Sequence, residues 1–363
     1  MASIWAELKR RNIVKVGAAY VVVAWLLITI ASAMAQEPTF PAWAYPYTPT
    51  PTPARDDDGT LFTVPGSAVE LTWTQIRGRV VDEDGTVEGF SVPDWHPNDH
   101  PPMPSSVANG RTPDMRPCGY CHMPHGLGRP ENAPVAGLPV DYFIQQVADM
   151  RSGARKTLDP RRIPPTLMFA SAQAASDEDI RSAAEYFASL SFKPWTRVVE
   201  VSTVPKTEIV GGMLVPIEGG GTEPIGERII ETPEDWERTE LRDTRSGFVA
   251  YVPDGSLERG EALVITGGVQ MPRGEFVPGK TIQCEICHGP NLTGLGSVPP
   301  IAGRSPTYMF RQLYEMQQGI RNGAQAALMK AVVANLTVSD MIAIVAYVSA
   351  LPPVPNAVPP PSP

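Results

Sequence analysis

The pentapeptide Cys-x-x-Cys-His occurs twice, as Cys118-Gly119-Tyr120-Cys121-His122 and as Cys284-Glu285-Ile286-Cys287-His288, and the two copies use all four cysteines of the chain. Two thiols three residues apart can each form a thioether to a haem vinyl group. The histidine that follows turns its imidazole toward the iron, which is the pattern of c-type haem attachment. One match could be chance or a redox dithiol; two matches that exhaust the cysteines predict two covalently attached haems. The competing reading is a four-cysteine zinc site built from two ligand pairs. It fits the paired spacing but leaves both trailing histidines without a role. The chain has 40 prolines in 363 residues, about twice the usual share. That composition predicts long irregular loops wrapped around flat cofactors, not a continuous sheet or bundle.

An internal repeat surrounds the two motifs. With Cys118 placed on Cys284, an offset of 166, Pro134 meets Pro300, Ala136-Gly137 meets Ala302-Gly303, Tyr142 meets Tyr308 and Gln146 meets Gln312. Met150, Gly153 and Arg155 fall on Met316, Gly319 and Arg321 in the same register. The offset then shortens to 161, where Met168 meets Met329, Ser176 meets Thr337 and Tyr186 meets Tyr347. Two tandem modules, 105–193 and 256–352, are expected. Ser305-Pro306 reads as an N-cap and first-turn proline opening a helix to about Gln318, matched by one from about Val140 to Arg151. Ser176 and Thr337 each precede acidic residues and an apolar helical stripe, so they are expected to cap the last helix of each module.

The flanking segments read differently. Lys9, Arg10, Arg11 and Lys15 precede an uncharged, mostly apolar stretch from Val16 to Ala35 that ends in Ala33-Met34-Ala35. This is an export signal cleaved before Gln36, or an uncleaved N-terminal membrane anchor of just sufficient length, within residues 1–35. Either way the remainder is exported. Removing residues 1–35 takes the formal net charge from −9 to −12, which argues against nucleic acid and favours a redox partner with a basic or dipolar docking face. Residues 36–58 are Pro-rich and predict an extended tether, and 59–104 an irregular extension. Residues 194–255 carry strand-like runs separated by Gly219-Gly220-Gly221 and predict a β-containing connector; 353–363 predict a Pro-rich disordered tail.

Each proximal histidine, His122 and His288, leaves the sixth position of its iron to be filled. No cysteine remains for it, and the other histidines are only His96, His100 and His125. Met150 follows Phe143 and Val147, and Met316 follows Met309 and Leu313, at helical spacing, which predicts core packing. Met168 and Met329 each lie eight residues before an N-cap. They are expected in a loop that crosses the distal haem face, and are the candidate axial ligands. His125 reads as a surface or propionate neighbour, and His96 and His100 as structural. The carbonyls of Pro134 and Pro300 are candidates to receive the imidazole N–H. Tyr142, Tyr308, Arg155 and Arg321 read as propionate contacts or as ordinary surface residues.

With Cys284-x-x-Cys287-His288-Gly289, Pro300-x-Ala302-Gly303-Arg304, Tyr308-x-x-x-Gln312-Leu313 and the Met329 segment, the chain resembles the tandem dihaem class I cytochromes c of bacteria. The resemblance covers roughly half of the chain. The first module departs from it at Met123, where the family usually has glycine. It implies a mainly α fold of two small haem domains, His/Met ligation, and one-electron transfer between respiratory-chain redox proteins in the periplasm, with the chain soluble or tethered to the inner membrane. Two rival functions stay open: a dihaem peroxidase with an open first haem, and a cytochrome subunit of a membrane dehydrogenase complex.

Overall fold

The computed structural model describes residues 40–48, 55–269 and 277–353. The segment expected to be a signal or anchor lies outside these residues, as does the tail beyond 353. The chain divides into two compact units, Met1–Ala42 and Trp43–Pro363. Among the described residues no single helix is long and apolar enough to cross a membrane. The fold is mainly helical, with small sheets between the repeats.

The first repeat is built on the helices Val140–Ser152, Ile163–Ala174 and Asp177–Ser189. Phe143 and Val147 lie one turn apart on the helix Val140–Ser152, and both are buried. Gly153 ends that helix in the left-handed conformation, at φ 76°, a common helix stop because glycine has no Cβ to oppose it. Ser176 caps the helix Asp177–Ser189 and forms a reciprocal box with Asp179. The stripes meet in one core, where the Phe143 and Phe187 rings stack with centroids 6.0 Å apart.

The second repeat uses the helices Ser256–Thr266, Pro306–Gln317, Ala326–Val333 and Val338–Ala350. Ser305 caps the second of these with its side chain, and Thr337 caps the last in a box with Asp340. The helix Ser256–Thr266 crosses the helix Val338–Ala350 at Gly260, where a Cβ would sit 2.0 Å from the Ala343 carbonyl oxygen. Only glycine permits that approach. The corresponding first helix of repeat one, Ser105–Ala108, has 4 residues against the 11 of Ser256–Thr266.

The repeats meet through matched residues. Arg155 and Arg321 form an antiparallel backbone bridge. Arg155 donates to Gln146 (3.0 Å), Tyr308 (3.2 Å) and Gln312 (2.9 Å). Arg321 donates to Gln312 (3.1 Å), Tyr142 (2.7 Å) and Gln146 (2.7 Å). Each residue contacts its counterpart's neighbours, as in a two-fold interface formed within one chain.

The region 194–255 contains a three-stranded sheet: Thr196–Val201 runs parallel to Phe248–Pro253, which pairs antiparallel with Ile230–Pro233. Two further antiparallel pairs join Thr203–Pro205 to Thr222–Pro224 and Thr207–Val210 to Met213–Pro216. Glu231 is buried and accepts from Ser305 Oγ (2.8 Å) and from the Thr307 amide (3.2 Å) at the start of the helix Pro306–Gln317. Val64, Ile76 and Trp95 share a small core with Leu241, and Trp95 Nε1 donates to the Leu241 carbonyl at 2.7 Å. The N-terminal extension and the connector are therefore one structural element.

Residues 43–47 of the expected tether pack against the protein. Ala44 and Tyr45 are buried, the Trp43 ring lies 4.6 Å from that of Phe310, and Arg311 donates to the Ala44 carbonyl at 3.1 Å. Trp43, Tyr45 and Tyr47 supply apolar area that outweighs the preference of the prolines for a solvated extended chain.

Candidate functional site

Each motif folds as a short helical turn, Cys118–His122 and Glu285–His288. One turn brings thiols three residues apart to the same side and sets the histidine at its end. His122 Nδ1 lies 2.8 Å from the Ala133 carbonyl, and His288 Nδ1 lies 2.8 Å from the Pro299 carbonyl. The acceptor is one residue earlier than the prolines expected from the sequence. A residue before proline is held extended, and its carbonyl projects from the loop toward the ring. Donation from Nδ1 leaves the Nε2 lone pair free for a metal. Burial lowers the pKa of both imidazoles against the opposing effect of these hydrogen bonds, which favours the neutral ligand form.

The cysteines are unpaired with one another. Burial pushes the Cys118 thiol up to about 12 and the Cys284 thiol up to about 11, so neither is a ready thiolate. Among the described residues no three His, Cys, Asp or Glu side chains converge on a possible metal position. The four-cysteine zinc reading therefore finds no site.

An apolar cavity opens beside the first motif. Cys118, Cys121, His122, Phe143, Met150 and Met168 line it. One edge is polar and carries Arg155, Arg162, Arg311 and Glu315. Arg162 Nε is buried with no hydrogen-bond partner, and burial together with the neighbouring Arg311 pushes the Arg162 pKa down to about 9. Arg311 and Glu315 come from the second repeat, so the edge of the first cavity is built by both.

Met168 and Met329 are half-buried on the helices Ile163–Ala174 and Ala326–Val333, not in loops. Pro164 and Pro165 lie in the first turn of their helix, where no amide donor is needed, and Ala, Leu and Met then sustain it. Ala326 to Ala331 is likewise rich in strong helix formers. Met168 faces the same cavity as His122, and so does Met150; Met316 is buried. His96 bonds Asp243 at 2.9 Å in the satellite core, and His100 contacts Asp94 at 3.3 Å. His125 is not a free surface residue: its ring meets Trp195 edge-on at 4.8 Å. Tyr142, Tyr308, Arg155 and Arg321 form the cluster between the repeats, the tyrosines half-buried and both arginines buried.

The two motifs differ in their cover. Arg242 of the connector stacks on the Tyr120 ring, 4.0 Å from its centroid, donates to the Tyr120 carbonyl and approaches Met123 Sδ at 3.7 Å. At the second motif Ile286 is 63% exposed, Leu295 is 59% exposed, and Cys287 is open. Sequence reasoning missed Arg162, 40 positions from His122, and Arg311, Glu315 and Arg242, each more than a hundred positions away, because nothing local marks a residue that reaches a distant site.

No family model matches the chain. Cytochrome c4 of Pseudomonas aeruginosa is 23% identical over 238 residues, which span 64% of this chain and 83% of that protein. A thiosulfate dehydrogenase electron acceptor of Thiomonas intermedia is 24% identical over 243 residues, 66% of this chain and 81% of that one. Cytochrome c-554(548) of Halomonas halodenitrificans is 36% identical over 67 residues, 18% of this chain and 81% of its own length. The chain belongs to the c-type cytochromes, and its tandem dihaem plan is like that of cytochrome c4. This dihaem cytochrome carries two covalently attached c-type haems. Its first cavity suits such a group: the walls are apolar, the thiols and imidazole stand together, and buried guanidinium groups, one with an unpartnered Nε, fit the two carboxylates of a haem.

Proposed function

We propose that this dihaem cytochrome passes single electrons between redox proteins of the bacterial cell envelope and is not itself an enzyme. Cys118 and Cys121 carry the thioethers of one haem, and Cys284 and Cys287 those of the other. His122 with Met168, and His288 with Met329, would hold the two haem irons. Bound haem supplies one-electron redox chemistry at its iron, and methionine as a soft ligand raises the potential. The observation that carries the reading is the paired construction of the two sites. In each, an imidazole Nδ1 is pinned to a loop carbonyl eleven residues on, and a methionine helix precedes the capped last helix. Met168 and His122 both facing one cavity supports the first ligand pair.

The second motif is the face offered to partners. Ile286, Leu295 and Cys287 are open there, while Tyr120 lies under Arg242 at the first. A net charge of −9 favours partners with a basic or dipolar docking patch. The relative named for accepting electrons from thiosulfate dehydrogenase supports a dehydrogenase as donor. A periplasmic location, free or tethered by the N-terminus, belongs to the same reading.

The test is a potentiometric titration of the haem-loaded protein, with the sulfur–iron charge-transfer band followed in the ferric form. Two bands and two positive potentials are expected. Met168→Ala and Met329→Ala should each remove one band and lower one potential. A wild-type haem without the band, combined with peroxide turnover, would replace the carrier by a dihaem peroxidase.

A further inference from the structure

Arg304 is 3% exposed and lies where the two repeats meet. Its donors go to backbone carbonyls: Nε to Pro300 at 2.7 Å, Nη1 to Pro134 at 2.8 Å and Nη2 to Ala136 at 2.9 Å. The guanidinium stacks over the Phe192 ring, 4.5 Å from its centroid. Its own carbonyl accepts from Ser349 Oγ at 2.6 Å. Burial pushes its pKa down to about 10, which leaves it charged near neutrality.

Two of the carbonyls it holds adjoin those that receive the proximal imidazoles. Ala133 O takes the His122 hydrogen bond and Pro134 O takes Arg304; Pro299 O takes the His288 hydrogen bond and Pro300 O takes Arg304. In both loops the residue between the two peptide planes is a proline, whose ring locks φ. Fixing one carbonyl therefore fixes its predecessor, apart from rotation about a single ψ. A planar fork with several N–H groups is suited to hold several acceptors in a set geometry. In the repeat register the counterpart of Arg304 is Leu138, so one arginine serves both loops.

We propose that Arg304 is a shared positioning residue, which orients the hydrogen bonds of His122 and His288 together and thereby tunes both iron sites from one point. A hydrogen bond to the outer ring nitrogen fixes a metal-bound imidazole and raises its donor strength, so a change at Arg304 reaches both sites. This rests on the reading of His122 and His288 as axial ligands.

The experiment uses the haem-loaded full chain. In wild type, His122→Ala and His288→Ala should each perturb the spectrum of one haem; if either leaves both spectra intact, the ligand reading fails before Arg304 is at issue. With ligation established, Arg304→Gln and Arg304→Lys are compared by potentiometric titration and by NMR exchange of the two imidazole Nδ1 protons. Both variants should shift both potentials in the same direction and speed exchange of both protons. Lysine keeps the charge and loses the fork, so a lysine variant with wild-type potentials would overturn positioning in favour of charge alone. Potentials unmoved in both variants despite a lower melting temperature would reduce Arg304 to a structural brace. Should neither variant fold, Pro134→Ala frees one φ and should move the first potential only; no movement there overturns the proposal.

Discussion

The two haem-attachment turns share a backbone plan and differ in what surrounds them. The residue after each histidine has nearly the same conformation, φ 65° and ψ 156° at Met123, φ 74° and ψ 172° at Gly289. That region is almost reserved for glycine, and another residue there costs about 1–3 kcal/mol. The first repeat accepts the cost because Met123 is 1% exposed and its sulfur meets Arg242. Burying a methionine is worth about 1.5–3 kcal/mol, enough to offset the strain. The second repeat keeps glycine and stays open. A cover of connector and extension thus turned one of two equivalent edges into an interior, and left the other exposed.

The largest effect should come from breaking that cover at its centre. Trp95 is 1% exposed and joins the extension to Leu241, so Trp95→Ala should cost about 3–5 kcal/mol in denaturant unfolding. It should also make Tyr120 reactive to surface labelling while Ile286 is unchanged.

Exchanging the residues after the two histidines sharpens the contrast. A Cβ at Gly289 would stand 2.5 Å from the Gly294 carbonyl oxygen, and nothing at that edge compensates. Gly289→Met should destabilise by about 2–4 kcal/mol, strain and steric conflict together. Met123→Gly should change stability by less than about 1 kcal/mol, since relief of strain and loss of burial nearly cancel. Equal effects of the two substitutions on thermal unfolding would remove the distinction.

The smallest effect separates the repeats by acid. Burial opposes ionisation of Asp340, but hydrogen bonds from Thr337 and the Lys280 and Arg259 cations hold its pKa at about 2. The folded value lies below the ordinary carboxylate value of 3.8. Its contribution is therefore fully present above about pH 4 and is lost as pH falls toward 2. Asp179, its counterpart, is also lowered, burial again opposing while Ser176 and Arg111 favour the anion. Asp340→Asn should remove the part of the acid transition belonging to the helix Val338–Ala350, followed by amide exchange, and leave that of Asp177–Ser189.

What could be read from the sequence was local. Cysteine spacing, the caps at Ser176, Ser305 and Thr337, and the register of the repeat depend on neighbours within one or two turns. The helix carrying Met168 was hidden because prolines that open a helix look like prolines that break a loop, and the one carrying Met329 because its eight residues are too few to show a clear helical period. The imidazole acceptors fell one residue from expectation, since a proline orients the carbonyl before it as firmly as its own. The cover on the first motif was invisible because Trp95 finds its partner 146 positions away, and Arg242 finds Tyr120 across 122. Pairings at that range follow from packing and leave no short-range pattern.

The claim that electrons are exchanged at the second motif can be tested by stopped-flow reaction of the reduced, haem-loaded protein with a bulky cationic cobalt(III) complex. Ile286→Arg places like charge at the open edge and should slow the bimolecular rate several-fold at low salt. Val80→Arg, on the strand Arg79–Val81 of the extension, should leave the rate within a factor of about two at the same salt. Slowing by Val80→Arg with no effect of Ile286→Arg would contradict the account and place exchange at the first motif.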